Sequence, residues 1–293
     1  MKKITFRFPL LLLLSGFIGL AAWLNASLNT NEVMVWSLKK LEPNLQNGEY
    51  VFNASGCVGC HQDPKGTNRL ALSGGEVFKT EYGKFYAPNI SMSVENGIGS
   101  WSLNDFATAL RMGVSPLGKH YYPSFPYTAY NKINDQDLVD LWAYWQTLPG
   151  VDVKSKPHEL LFPFEFRSGL GIWKTMFLKS DWVGAAADTR GRYLVEALGH
   201  CAECHTPRNA LGGLKADHWM QGGKNPSGLG TVPNLLLTTE EWSAEEMEEY
   251  LSTGFTPDFD VVGGHMAKVI ESTSLLTYDD RIAIYNYLKA LRN

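Results

Sequence analysis

The pentapeptides Cys57-Val58-Gly59-Cys60-His61 and Cys201-Ala202-Glu203-Cys204-His205 decide how this chain is read. Both have the Cys-x-x-Cys-His pattern that marks covalent attachment of a c-type haem. Two thiols add across the porphyrin vinyl groups, and the imidazole that follows reaches the iron as proximal ligand. The two intervening residues make a turn of helix, which holds both sulfurs and the imidazole at one edge of the macrocycle. Together the motifs consume every cysteine of the chain. They imply two covalently bound haem c groups, one on Cys57, Cys60 and His61, the other on Cys201, Cys204 and His205. Other uses of paired cysteines fit poorly. A thioredoxin-like pair needs a strand-rich context that is missing around both motifs. A structural zinc site needs four ligands per metal at close spacing, and the two pairs are far apart in sequence. A disulfide between cysteines two residues apart closes a strained loop.

The chain has 293 residues, which favours two domains, and 44% hydrophobic residues, enough to build buried cores around apolar cofactors. A formal charge of −4 gives no electrostatic case for nucleic acid. At the start, Lys2, Lys3 and Arg7 precede an apolar run from Phe8 to Leu24. That order marks a secretory signal or an uncleaved signal anchor. Bulky Leu24 makes Leu24-Asn25-Ala26 a poor cleavage site, so a retained single-pass helix over 1–24 is favoured. In either case the rest of the chain is exported, where c-type haem is attached.

Beyond a polar tether over 25–44, the pattern is helical and occurs twice. Asn47 to His61 reads as a helix running into the first motif, and 62–87 as loops around a haem. Ser102 to Arg111 opens with a Ser-x-x-Asp capping box. Asp135 to Leu148 carries Leu138, Leu141, Trp142 and Trp145 on one face, and Pro149-Gly150 stops it. At separations of about 141 to 145 residues the order recurs. Pro88-Asn89 answers Pro233-Asn234, Trp101-Ser102 answers Trp242-Ser243, and Gly113 and Pro116 answer Gly254 and Pro257. The fold class is therefore all-α, with two copies of one domain over 45–150 and 184–293, joined by an aromatic-rich segment over 151–183.

Several phrases carry a family likeness: Ala87-Pro88-Asn89-Ile90, Gly97-Ile98-Gly99-Ser100-Trp101-Ser102, Tyr122-Pro123-Ser124-Phe125-Pro126-Tyr127, His205-Thr206-Pro207-Arg208-Asn209 and Val261-Val262-Gly263-Gly264-His265-Met266-Ala267. Each half resembles a class I cytochrome c domain. The pair, over about residues 45–293, is similar to the cytochrome c subunits of membrane-bound alcohol and gluconate dehydrogenases. The chain departs from them in one respect: those subunits carry three haems, and the motifs here serve two. The resemblance implies tandem cytochrome c domains behind a membrane anchor. It implies electrons arriving from a periplasmic dehydrogenase and leaving to a quinone, an oxidase or another cytochrome at the bacterial inner membrane. It also implies that the Pro88 and Pro233 carbonyls accept the second ring N–H of the proximal histidines, which would tune the imidazole.

An electron-transfer haem takes a sixth ligand, and methionine sulfur raises its potential relative to histidine. In the second half Met266 lies on a Gly-rich loop, and the resemblance places the axial methionine there. The equivalent position in the first half is Phe125, which cannot ligate iron. Three outcomes stand open for that haem: a vacant sixth position beside Phe125, a displaced ligand from Met92, Met112 or His120, or a bound water. A vacant site is the basis of an alternative reading, a haem enzyme or a gas- or peroxide-binding protein. No other group in the chain is placed for acid–base or nucleophilic chemistry. Arg208 is a candidate partner for a haem propionate.

Two stretches bear on partners. Leu160 to Trp182 holds Phe162, Phe164, Phe166, Trp173, Phe177 and Trp182, too apolar for a flexible linker. It reads as a strap across both domains or as an exposed patch for a dehydrogenase or a membrane surface. Glu240, Glu241, Glu245, Glu246, Glu248 and Glu249 crowd one helix start, which reads as a solvated, dipole-matched face or as an acidic docking surface.

Overall fold

The computed structural model describes residues 37–184, 189–226 and 230–292. The expected anchor over 1–24 and most of the tether lie outside the described residues. Among those residues no helix is long and apolar enough to cross a membrane. Residues 37–44, at the end of the stretch read as a tether, pack onto the first half. Leu38 is fully buried there and Gln136 donates to the Glu42 carbonyl at 2.9 Å.

The first half is built on helices α1 (Leu45–Ala54) and α5 (Asp135–Trp145). Asn44 caps α1 by accepting from the Asn47 N–H, and Asn134 caps α5 by accepting from the Asp137 N–H. The apolar face of α5 buries Leu138, Leu141, Trp142 and Trp145. Helices α1 and α5 cross at Gly48, where a Cβ would stand 2.1 Å from the Asp140 carbonyl oxygen. Only glycine lets the two backbones approach so closely. Between them lie α2 (Cys57–His61), α3 (Leu103–Met112) and α4 (Tyr127–Tyr130). The stretch read as one helix from Asn47 to His61 is thus two. Gly56 takes the left-handed conformation, φ 61°, and turns the haem motif out of line with α1.

The second half repeats this plan. Its first helix, α7 (Thr189–Tyr193), continues into a wider π turn over Leu194–Leu198. Then follow α8 (Ala202–His205), α9 (Leu235–Glu241), α10 (Ala244–Thr253), α11 (Gly264–Thr273) and α12 (Tyr278–Ala290). Gly191 stands where Gly48 does: its Cβ would meet the Ala283 carbonyl oxygen at 2.0 Å, beneath Tyr287 as Gly48 lies beneath Tyr144. Helices α3 and α10 both begin with complete capping boxes, Ser102 with Asp105 and Ser243 with Glu246.

The chain is mainly helical, but the loops are not all irregular. Strands β1 (Val77–Thr80), β2 (Gly83–Tyr86) and β3 (Glu159–Leu160) form an antiparallel sheet in that order, with Val77 opposite Tyr86 and Lys84 opposite Glu159. A two-residue pair, β4 (Gly223–Lys224) and β5 (Thr231–Val232), occupies the corresponding loop of the second half. The Gly and Lys content of 62–87 obscured the hairpin, whose strands bury little: only Phe85 and Tyr86 are buried.

The halves meet through reciprocal bonds. The Tyr50 hydroxyl of the first donates to Asp280 of the second at 2.5 Å, and the Tyr193 hydroxyl of the second donates to Asp137 of the first at 2.6 Å. Each hydroxyl also accepts a backbone N–H from the opposite half, Thr277 at 3.1 Å and Asn134 at 3.3 Å. These partners occupy equivalent places in the two copies, so the interface is isologous within one chain. Helix α6 (Gly169–Phe177), in the connecting segment, touches both halves. The Trp173 indole donates to the Leu211 carbonyl at 2.8 Å, and the Lys174 amine donates to the Met112 and Gly113 carbonyls at 2.6 and 2.7 Å. Phe162 and Phe166, farther upstream, remain 79% and 58% exposed.

Candidate haem sites

Each motif sits on a helical turn, as its spacing requires. His61 closes α2, and its Nδ1 donates to the Pro88 carbonyl at 2.9 Å. His205 closes α8, and its Nδ1 donates to the Pro233 carbonyl at 3.0 Å. A carbonyl can only accept, so the proton is on Nδ1 and the Nε2 lone pair is free for a metal. Burial pushes His61 down to about 4, against the opposing pull of the Pro88 bond, and lowers His205 for the same reason. Both rings are neutral near pH 7, the state a metal needs.

The proline loops are anchored alike. The Gly74 N–H donates to the His61 carbonyl at 2.8 Å, and the Gly222 N–H to the His205 carbonyl at 2.7 Å. The Ile90 N–H reaches the Leu72 carbonyl and the Leu235 N–H the Met220 carbonyl, both at 2.9 Å. The Trp145 indole further pins the first loop by donating to the Ile90 carbonyl.

None of the four cysteines is in a disulfide. Burial raises Cys57 and Cys201 to about 12 and Cys60 to about 11, so all three remain thiols. Two protonated thiols and a neutral imidazole on one turn, with the ring already oriented, fit the attachment of a haem c. No cluster of three or more metal-binding side chains occurs among the described residues.

The distal sides differ. Met266 lies near the start of α11, half-buried against the core. Phe125 sits in an aromatic cage, its ring centroid 5.7 Å from Tyr121, 5.9 Å from Tyr130 and 6.2 Å from Tyr127. The three candidates for a substitute ligand lie at different points. Met92 is on the loop that starts at Pro88, with its N–H directed at the Pro149 carbonyl. Met112 ends α3, where its carbonyl receives Lys174. His120 is buried with its Nδ1 3.1 Å from the Lys174 amine, which burial lowers to about 7.

The reciprocal interface brings the motifs together. Helix α11 packs on α2, and Lys268 presses on Gly59 while its amine pairs with Glu76 at 2.8 Å. Met266 and Lys268 are two apart on one helix and so do not face each other. In the mirror contact the Thr128 hydroxyl donates to Glu203, within the second motif, at 2.8 Å. The Tyr130 ring lies 5.5 Å from His200, the residue before Cys201. His200 holds the left-handed turn that Gly56 takes before the first motif, φ 40° against 61°. The nearby Cys204 thiol of the second motif adds to the rise at Cys60.

A diheme c-type cytochrome from Cereibacter sphaeroides is 47% identical over 285 residues, covering 95% of both chains. The chain belongs to the dihaem c-type cytochromes. It carries two covalently bound haem c groups and moves electrons. The cytochrome subunit of fructose dehydrogenase from Gluconobacter japonicus is 35% identical over 267 residues, 85% of this chain and 53% of that protein. The cytochrome c subunit of gluconate 2-dehydrogenase from Pantoea cypripedii is 34% identical over 264 residues, 84% and 59%. The cytochrome thus spans a little over half the length of these dehydrogenase subunits. No family model matches it.

Arg208, the candidate for a propionate, pairs with Glu203 between the two cysteines of the second motif and donates to the Gly212 carbonyl at 2.8 Å. Three of the six crowded glutamates have structural partners: Glu246 completes a capping box, Glu248 pairs with buried Arg281, and Glu240 with Arg292. Gly48 and Gly191, and Tyr50 and Tyr193, recur at one fixed separation as Gly-x-Tyr, a signal that the repeat search passed over.

Proposed function

We propose that this cytochrome is a membrane-tethered relay that takes electrons from a periplasmic dehydrogenase and passes them into the respiratory chain. Two class I cytochrome c domains, 45–150 and 184–293, hold the haems, with 151–183 joining them and an N-terminal helix over 1–24 as the anchor. Cys57 and Cys60 bind the first haem and Cys201 and Cys204 the second. His61 and His205 are proximal ligands, and Met266 is the sixth ligand of the second haem. The acceptor is a quinone, an oxidase or another cytochrome.

The observation that carries this reading is the reciprocal interface, which bonds the two halves through matching residues and packs each haem motif against the other half. A single-electron relay needs its two haems held at a fixed separation. The cytochrome subunits of fructose and gluconate dehydrogenases among the relatives support a dehydrogenase as donor. They do not favour the alternative of a ligand-binding haem enzyme. Redox titration of the holoprotein in membranes, followed by stopped-flow reduction with the dehydrogenase of its host, tests it. Two one-electron steps with reduction of both haems within a turnover are expected; a haem that no dehydrogenase reduces would defeat the proposal.

A further inference from the structure

The repeat allows each surface loop to be compared with its copy, and one pair differs in what covers it. In the first half the residues after α3 form a small hairpin closed by a bridge between Val114 and His120. In the second half the residues after α10 form the same hairpin, closed by Phe255 and Val261. Their bonds match: Ser115 N–H to Lys119 O and Thr256 N–H to Asp260 O, both at 2.9 Å. Gly118 N–H to Ser115 O and Phe259 N–H to Thr256 O match as well.

In the first half this hairpin is covered. Lys174 of α6 donates to the carbonyls of Met112 and Gly113 and lies against His120, and Arg167 donates to the His120 carbonyl at 2.9 Å. Both cations also stand over aromatic rings, Arg167 over Tyr122 and Lys174 over Tyr127. Val114 and His120 are each 6% exposed beneath them. The equivalent Phe255 and Val261 are 52% and 61% exposed. At the hairpin tip the contrast is sharper. Gly118 takes the left-handed conformation at φ 73°, as glycine readily does. Its counterpart Phe259 adopts φ 61°, an outlier for a bulky residue, and is 90% exposed. Folding alone favours neither the residue nor its exposure. Strain of this kind persists where a site uses it.

We infer that the Phe255–Phe259–Val261 hairpin is the docking surface for a redox partner whose face is apolar and ringed by lysine or arginine. The inference rests on the relay reading and names the chemistry of the partner that meets the second half. The partner supplies from outside what Arg167 and α6 supply to the first half within the chain: donors for the hairpin and cover for the bridge. Charge agrees, because Asp258 and Asp260 flank Phe259 and both are exposed. Opposite charge steers encounter, and a central aromatic anchor fixes the complex. In the exchange one electron leaves a ferrous haem of this cytochrome and reduces the ferric iron of the partner. No atom or proton need move.

The test uses the full-length holoprotein, reduced, mixed with a basic monohaem ferric cytochrome c, and with the same cytochrome after its lysines are succinylated. Stopped-flow gives the bimolecular rate, and surface plasmon resonance the affinity. The native probe is expected to react at least tenfold faster than the succinylated one at low ionic strength, with the gap closing at high salt. Phe259→Gly should slow the native probe and weaken its binding about tenfold while the thermal midpoint stays level or rises, because the strained turn is relieved. Asp258→Lys should slow the reaction at low salt only. Rates and affinities within twofold of the unaltered protein for both variants would overturn the docking surface. So would a dimer, seen by sedimentation, that disappears in Phe259→Gly. Failure to reduce ferricyanide as well as both probes would refute the relay itself.

Discussion

The reciprocal tyrosines make the sharpest prediction about how the two haem sites are held. Replacing Tyr50 with Phe removes a hydroxyl that donates to Asp280 at 2.5 Å and accepts from Thr277 N–H at 3.1 Å. Asp280 keeps Arg190, whose Nε donates to it at 2.8 Å, so no carboxylate is orphaned. A hydrogen bond to a charged group contributes ~1.5–3 kcal/mol, and with its partner still paired the loss belongs at the lower end, about 1.5 kcal/mol. Tyr193→Phe is the mirror case. Asp137 then keeps Asn47 at 2.7 Å and Asn134 at 2.9 Å, and a similar loss follows. The double variant removes both clasps, and at about 3 kcal/mol the interface should open before either half unfolds. Denaturant titration monitored at the haem bands would then resolve a two-step transition where the parent shows one. Flash reduction of one haem would show slower equilibration with the other. If either single variant changes stability by less than about 0.5 kcal/mol, within the range of neutral surface changes, the tyrosines merely lie beside their acceptors and the halves are fixed by something else.

Other outcomes follow from the same geometry. Phe125→Met should give the first haem a sulfur ligand within its aromatic cage, seen as a changed low-spin electron paramagnetic resonance signal and a raised potential at that haem. Met266→Leu should do the reverse at the second haem, lowering its potential and leaving a high-spin signal. Gly191→Ala drives a methyl into the Ala283 carbonyl and should cost about 3 kcal/mol, whereas Gly169→Ala, with nothing within 4 Å, should cost none. Burial alone would raise the Asp280 carboxyl, but bonds from Arg190 and Tyr50 outweigh it and hold the group below its ordinary value. Its contribution to stability is therefore complete above about pH 4 and is lost as pH falls through the depressed value. Asp280→Asn should flatten that acid limb in a pH series of unfolding midpoints.

The haem motifs and the helical repeat were legible because each rests on local chemistry. Cys-x-x-Cys-His specifies its own turn, and Ser102 and Ser243 announce their helices by a side chain that reaches three residues. What was not legible depends on partners distant in sequence. Gly48 looks like an unfavourable residue inside a helix until Asp140 is seen lying across it. Tyr50 looks like an ordinary half-polar residue until Asp280 is brought up from the other copy. Arg208 was read by what guanidinium prefers, and its pairing with Glu203, five residues before it, depends on a turn that the sequence does not announce. The helix expected to run from Asn47 to His61 breaks because Gly56 adopts a backbone conformation that composition does not reveal.

Several of the differences between the copies fall on one stretch, from the end of α3 to α4 and its counterpart from α10 to α11. Within it Phe125 answers Met266, Gly118 answers Phe259, and buried Val114 answers exposed Phe255. The parts common to both halves, the motif, the proline carbonyl and the glycine at the helix crossing, are those that fix a haem and its proximal ligand. A relay built from two identical domains would present two equal potentials and two equal docking faces. Nothing would then separate entry from exit. Grouping these differences on the distal stretch would let ligation and surface change together while the proximal histidine bonds and the reciprocal interface stay intact. Exchanging that stretch between the halves, 113–126 for 254–267, should therefore bring a methionine to the first haem and abolish the salt-dependent encounter, because the transplanted hairpin would lie under Lys174 and Arg167 and the second half would carry Gly118 in place of Phe259. Ligation that stays with the second haem would mean that the sixth ligand is set outside the stretch. An encounter that persists would mean that docking is.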